Sequence, residues 1–234
     1  LKPQVRYSAT DFDIRSTDGG GNTLIGHAAV FNAEAVIAGM FREQIAPRAF
    51  RKSIKENDVR ALFNHDPAMV LGRNKAGTLR LKEDEVGLAY EVDLPDTQAA
   101  RDLWTLIDRG DITQSSFAFE TVKELRAEPD ADAGELLPLF TVKEARLWDV
   151  SPVTYPAYEQ TDVSARSAAE RLSLAYDRPI TEVIEAANAG ELSRLWAPSE
   201  RATTEEPPTE PPVIDEHSAD TRQPEPRRSI PIYI

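Results

Sequence analysis

The alternation of Leu79-Arg80-Leu81-Lys82 and Leu88-Ala89-Tyr90-Glu91-Val92-Asp93-Leu94 around the polar Glu83-Asp84-Glu85 and Gly87 is the feature that most limits the fold. A period of two puts successive side chains on opposite faces of a strand, and a short polar linker with glycine joins two such strands as a hairpin. Other short apolar runs surround it. Thr23 to Phe31 reads as a buried strand after the Gly19-Gly20-Gly21 turn, Phe41 to Ile45 as another, and Val59 to Phe63 as a third that ends at Asn64-His65-Asp66-Pro67. Pro67 pushes Asp66 toward extended geometry, which leaves His65 at a strand end.

Two helices interrupt these strands. The Pro47 region predicts a short helix that begins at Ala46-Pro47-Arg48-Ala49-Phe50, with Phe50 and Ile54 on its buried face. Asp96 is the expected cap of a longer one through Ala99, Leu103, Leu106 and Ile107, closed by Arg109 and Gly110. Ile112 to Val122 then returns to strand, with Gln114, Ser116 and Ala118 on one face and Ser115, Phe117 and Phe119 on the other. After an acidic loop at 127–134, residues Leu139 to Val153 supply one or two further strands ending near Pro156. The pattern gives a strand-dominated α+β class, and a small closed β-barrel with helices packed outside fits it better than a βαβ succession.

The expected organisation is a flexible N-terminal segment over 1–21, a main domain over 22–163, a helical extension over 164–196 and a disordered tail over 197–234. Ser167 to Ala175 and Thr181 to Trp196 carry helical spacing, broken by Pro179 and Gly190. The stretch Glu205-Glu206-Pro207-Pro208-Thr209-Glu210-Pro211-Pro212 is too rich in proline and charge to bury a core.

A net charge of -13 disfavours nucleic acid as a partner, because a phosphate backbone is repelled by such a field. With no cysteine there is no thiolate nucleophile, disulfide framework or thiolate metal site. No run of about 18 apolar residues is present to cross a bilayer, and Leu1 to Thr10 lacks the order of a signal peptide, so no membrane role is expected. The three histidines lack the close spacing of a helical zinc pair, and neither a metal nor a cofactor is expected.

His217 falls in the tail, His27 sits inside an apolar strand as a core or sheet-face histidine would, and His65 lies in a loop on a rigid scaffold. A serine hydrolase needs a hydroxyl beside an imidazole, a third group to hold the imidazole's tautomer, and amide donors for the oxyanion. Ser115-Ser116, on a strand just after a bounded helix, offers such a hydroxyl, although two small residues on a sheet need no function. No Gly-x-Ser-x-Gly elbow is present, so an α/β-hydrolase arrangement is not supported.

Three collinear segments resemble the prohead protease family of tailed phages. They are Ile25-Gly26-His27-Ala28-Ala29-Val30-Phe31-Asn32 with Phe41 to Phe50, Val59-Arg60-Ala61-Leu62-Phe63-Asn64-His65-Asp66-Pro67 with Val70-Leu71-Gly72-Arg73, and Gly110-Asp111-Ile112-Thr113-Gln114-Ser115-Ser116-Phe117-Ala118-Phe119. The family's Ser-Phe-Gly-Phe signature falls on Ser116-Phe117-Ala118-Phe119, with Ala118 in place of the usual glycine and Ser115 where methionine is common. Leu147-Trp148-Asp149-Val150-Ser151-Pro152-Val153 is similar to its closing strand, where Asp149 stands in the place of an acidic residue that is often Glu.

The resemblance implies Ser116 as nucleophile, His65 as base and Asp149 as the third member, with Asp66 in reserve because it adjoins His65. It also implies a fold like the herpesvirus assembly proteases. The implied substrate is the phage scaffold or the scaffolding part of the major capsid protein, inside the assembling prohead in the host cytoplasm. Self-association and removal of the tail by self-cleavage belong to the same expectation. The competing readings are a non-enzymatic scaffold or capsid-assembly protein with the same barrel, and a β-barrel binding module for peptides or sugars.

Overall fold

In the computed structural model, residues 4–8, 12–16, 22–130, 132–155 and 162–196 are described. The strands are β1 (Gln4–Ser8), β2 (Asp13–Ser16), β3 (Asn22–Val30), β4 (Ala35–Ile37), β5 (Phe41–Ile45), β6 (Arg60–Phe63), β7 (Asp66–Arg73), β8 (Leu79–Glu83), β9 (Gly87–Asp93), β10 (Gln114–Ala127) and β11 (Leu139–Val153). The helices are α1 (Arg51–Glu56), α2 (Gln98–Asp108), α3 (Asp162–Tyr176) and α4 (Ile180–Ala189), with 3₁₀ turns at Asn74–Ala76 and Leu192–Leu195.

The strands form two sheets. One runs β1-β10-β11-β5-β4, with β6 joined to β11 and β7 to β6; the other runs β2-β3-β9-β8. The strand-dominated α+β class is as expected; among the described residues the strands lie in two sheets linked by a bridge between Phe31 and Ile45, and neither sheet by itself closes into the expected barrel. A shared core packs the two sheets together.

The 15-residue β11 is the spine of the larger sheet. On one side it pairs antiparallel with β10; on the other it pairs parallel with β5 over residues 139–142 and with β6 at Asp149 and Val150. Between those stretches no strand lies alongside, yet the backbone donors there are not orphaned. Ala145 N donates to Ala49 O at 2.8 Å and Leu147 N to Ser53 Oγ at 2.7 Å, so the segment leading into α1, and α1 itself, fill the gap. Ser53 is buried for this purpose and donates in turn to Asn57 Oδ1.

The core between the sheets holds Leu24, Phe50, Leu88, Tyr90, Val92, Leu103, Phe117, Phe119, Leu147 and Val150. Phe50 meets Phe117 edge-on at 5.7 Å, and Phe117 stacks on Phe119 at 5.1 Å. Each such side chain contributes about 1.5–3 kcal/mol by leaving water. Gly87, opposite Val30 in the β3–β9 register, is held to glycine by contact: a Cβ there would lie 1.9 Å from Ala29 O.

A second cluster packs α3 and α4, through Ala168, Ala169, Leu172, Val183 and Ala186, and the last 3₁₀ turn, through Leu195, against Ile37, Met40, Phe41 and Phe140. The expected helical extension is therefore built onto β4, β5 and β11. Two local expectations shift. The first helix starts at Arg51, not at Pro47, because Arg48 has a φ of 73° and breaks helical continuity. Thr97, not Asp96, caps α2, its hydroxyl accepting from Ala100 N at 3.3 Å, while Asp96 pairs with Arg101. The N-terminal segment expected to be flexible contains β1 and β2. The tail over 197–234, with His217, lies outside the described residues, as does the Gly19-Gly20-Gly21 turn.

Candidate active site

His65 stands in a two-residue turn between β6 and β7, where Phe63 pairs with Asp66. Asn64 and His65 have φ of 53° and 57°, the backbone signature of a type I′ hairpin turn. Asn is among the residues that tolerate this region best, and the strain is offset by tethering to the end of β11. Asn64 N donates to Pro152 O at 3.0 Å, its Nδ2 to Thr154 Oγ1 at 3.1 Å, and Thr154 N donates back to Asn64 Oδ1 at 2.8 Å. The turn thus cannot swing away without breaking three bonds.

Ser116 and Asp149 approach this turn from the sheet. In the β10–β11 register Ser116 faces Ser151 and Ala118 faces Asp149. Residues two apart on a strand share a face, so one patch of sheet carries Ser116, Ala118, Asp149 and Ser151. Parallel pairing of Asp149 with Arg60 sets β6 beside it, and the imidazole at the end of that hairpin reaches over the patch.

The result is a continuous chain of contacts. His65 Nδ1 lies 2.6 Å from Asp149 Oδ1, and His65 Nε2 lies 2.6 Å from Ser116 Oγ. Ser151 Oγ donates to the same Asp149 oxygen at 2.8 Å. Ser116 and Asp149 are buried, with residue exposures of 1% and 8%, whereas the His65 side chain keeps 21% of its surface open, enough for proton exchange. Such an arrangement suits proton transfer from a hydroxyl to an imidazole whose tautomer a carboxylate holds.

One further atom touches the hydroxyl. Ser116 Oγ donates to the backbone oxygen of Arg6, on β1, at 2.7 Å. A hydroxyl carries one proton, and a carbonyl oxygen only accepts, so Arg6 O and His65 Nε2 compete for it.

The other sequence candidates fall elsewhere. Ser115 points into the core, where its Oγ shares a hydrogen bond with Tyr90 Oη at 2.7 Å, and burial pushes the Tyr90 phenol well above its usual range. Asp66 is exposed and accepts from Ala68 N at 2.8 Å. His27 contacts Asp84 at 2.9 Å on the second sheet, remote in the pairing scheme from β10. Among the described residues no three His, Cys, Asp or Glu side chains gather as a metal site.

A cleft of about 500 Å³ lies between α1 and the β8–β9 hairpin, lined by Arg48, Arg51, Lys55, Lys82, Glu83 and Asp84 among others, and none of the three contact-chain residues lines it. Sequence reasoning missed Asn64, Ser151 and Arg6. Asn64 beside His65 was a turn signal, and Ser151 lies two residues from Asp149; Arg6 carried no local signal.

A family model described as caudovirus prohead serine protease matches residues 10–173. No curated protein matches the chain in sequence. Among solved structures, the capsid assembly protease gp21 of bacteriophage T4 is similar with a TM-score of 0.41 and 14% identity, over 65% of this chain and 99% of that one. The family match covers most of the chain and contains His65, Ser116 and Asp149 within its bounds. The chain belongs to the caudovirus prohead serine protease family.

Proposed function

We propose that this chain is a serine endopeptidase of capsid maturation in which Ser116 is the nucleophile, His65 the general base and then acid, and Asp149 the group that orients and stabilises the imidazolium. The observation that carries the reading is the unbroken contact chain from Ser116 Oγ through both nitrogens of His65 to Asp149, 2.6 Å at each link. In the acylation step Ser116 Oγ attacks the peptide carbonyl carbon while its proton passes to His65 Nε2. The protonated Nε2 then donates to the departing amine. Water enters, gives a proton to the same nitrogen and attacks the acyl-enzyme, and Ser116 recovers its proton as the acid product leaves.

The substrates proposed are scaffold or the scaffolding part of the major capsid protein, cut within the prohead, with self-cleavage of the segment after 196. The test is labelling by a fluorophosphonate of wild type, Ser116→Ala, Ser115→Ala and His65→Ala. Label is expected on wild type and Ser115→Ala and absent from the other two. Equal labelling of wild type and Ser116→Ala overturns the assignment. Intact mass of wild type against Ser116→Ala reads self-cleavage, and identical masses remove that part.

A further inference from the structure

β1 is an edge strand of five residues, and it lies antiparallel on β10 with Tyr7 opposite Ser116. An extended peptide added to a sheet edge is held by its backbone and read through its alternate side chains. β1 meets both conditions at the nucleophile. Its backbone presents Arg6 O to Ser116 Oγ at 2.7 Å, although the two residues stand 110 positions apart. Its Arg6 side chain turns to the other face of the sheet, where Nε donates to Glu43 Oε1 at 2.5 Å and the guanidinium lies 5.8 Å over the Phe119 ring.

Glu43, on β5, is only 3% exposed. Burial pushes its pKa up, but the charges and hydrogen bonds of Arg6 and Arg171 outweigh this and hold the carboxyl below its ordinary range. It is thus an anion kept in the interior, with one lobe turned to a cation that arrives on an edge strand. A buried carboxylate discriminates strongly, because a neutral side chain in the place of Arg6 leaves part of it without a partner.

We infer that β1 occupies the substrate strand's position in cis: the β10 edge takes extended peptides that carry a basic side chain at the residue whose carbonyl meets Ser116, and Glu43 is the residue that reads that charge. This rests on the serine-protease reading above. The chain's own occupant is in a resting pose. Ser116 is hydrogen-bonded to the carbonyl oxygen of Arg6 and does not donate to His65 while that bond holds, so general-base transfer is not set up. Release of β1 opens the edge to a peptide in trans and frees the hydroxyl proton for Nε2.

The test compares the full chain with its Arg6→Pro form, which loses an amide donor and the cation together, and with Arg6→Ala, which loses the side chain alone and serves if Arg6→Pro fails to fold by circular dichroism. The readout is the rate of fluorophosphonate labelling of Ser116. At least a tenfold faster rate is expected in the variant than in wild type. A synthetic peptide of residues 1–8 added to the variant should slow labelling again, and the same peptide carrying Arg6→Gln should do so at least tenfold less effectively. Equal, readily measured rates in wild type and variant overturn the inference and leave the protease reading standing. Equal blocking by the two peptides removes Glu43 as the reader of charge. No labelling of any folded form sinks both.

Discussion

Replacing Asp149 with asparagine exchanges one atom and removes one charge. When His65 accepts the Ser116 proton, the imidazolium faces the Asp149 carboxylate across the 2.6 Å contact at Nδ1. Unit charges about 4 Å apart interact by about 4 kcal/mol at an effective dielectric near 20, a fair value for a pair this near the surface. At about 1.36 kcal/mol per factor of ten, that amounts to about three decades in rate. The amide also brings its NH₂ toward Nδ1, which favours the tautomer with hydrogen on Nε2 and leaves no base facing Ser116; in Ser-His-Asp enzymes a change of this kind costs about 10⁴ in rate. Asp149→Asn is therefore expected to slow fluorophosphonate labelling by about 10³ to 10⁴. The fold should persist, because the Ser151 hydroxyl that donates to this carboxylate oxygen can instead accept from the amide NH₂ that takes its place. Asp66→Asn, altered in the adjacent but outward-facing carboxylate, should label at the wild-type rate. The loss should survive high salt, since a partly buried pair in direct contact is only weakly screened. An Asp149→Asn rate within tenfold of wild type, or a larger loss in Asp66→Asn, refutes this reasoning.

Ser115→Ala should leave labelling intact but lower the urea midpoint, because Tyr90 Oη loses its buried partner, a loss of about 1–3 kcal/mol; unchanged stability contradicts the assignment of Ser115 to the core. Glu43 gives a pH signature. Its folded pKa lies below the ordinary 4.5, so its contribution to stability is complete above that value and disappears as pH falls through the lower folded value. Urea midpoints measured across that acid window should fall more steeply for wild type than for Glu43→Gln, and parallel curves contradict the linkage.

The sequence disclosed elements whose stability is local. The β8–β9 hairpin and the body of α2 follow from period and turn chemistry, and both lie where the pattern put them. β1 and β2 were invisible because Gln-Val-Arg-Tyr-Ser and Asp-Ile-Arg-Ser are short and mixed in polarity, and exist as strands only through pairing with β10 and β3. The start of α1 is not legible in the sequence, because Pro47 fits a helical N1 and a turn equally well and only the backbone at Arg48 decides. At the candidate site, strand alternation separated Ser116 from Ser115, but residue chemistry alone left both open; the family resemblance made the choice. Between Asp149 and Asp66 the resemblance likewise favours Asp149, with Asp66 in reserve; in the structure the parallel β6–β11 register sets Asp149 beside Nδ1.

The wide spacing of the three side chains has a consequence in time. Ser116 stands 51 positions from His65, and Asp149 stands 84 positions beyond it. A growing polypeptide emerges from its N-terminal end, so the imidazole and the hydroxyl are both made while the strand carrying the carboxylate is still unsynthesised. Until β11 has been translated and has zipped between β10 and β6, His65 has nothing to hold its tautomer, and the Asn64 turn has no anchor. On the proposed assignment an unfinished chain lacks the orienting carboxylate, which arrives with one of the last strands of the sheet.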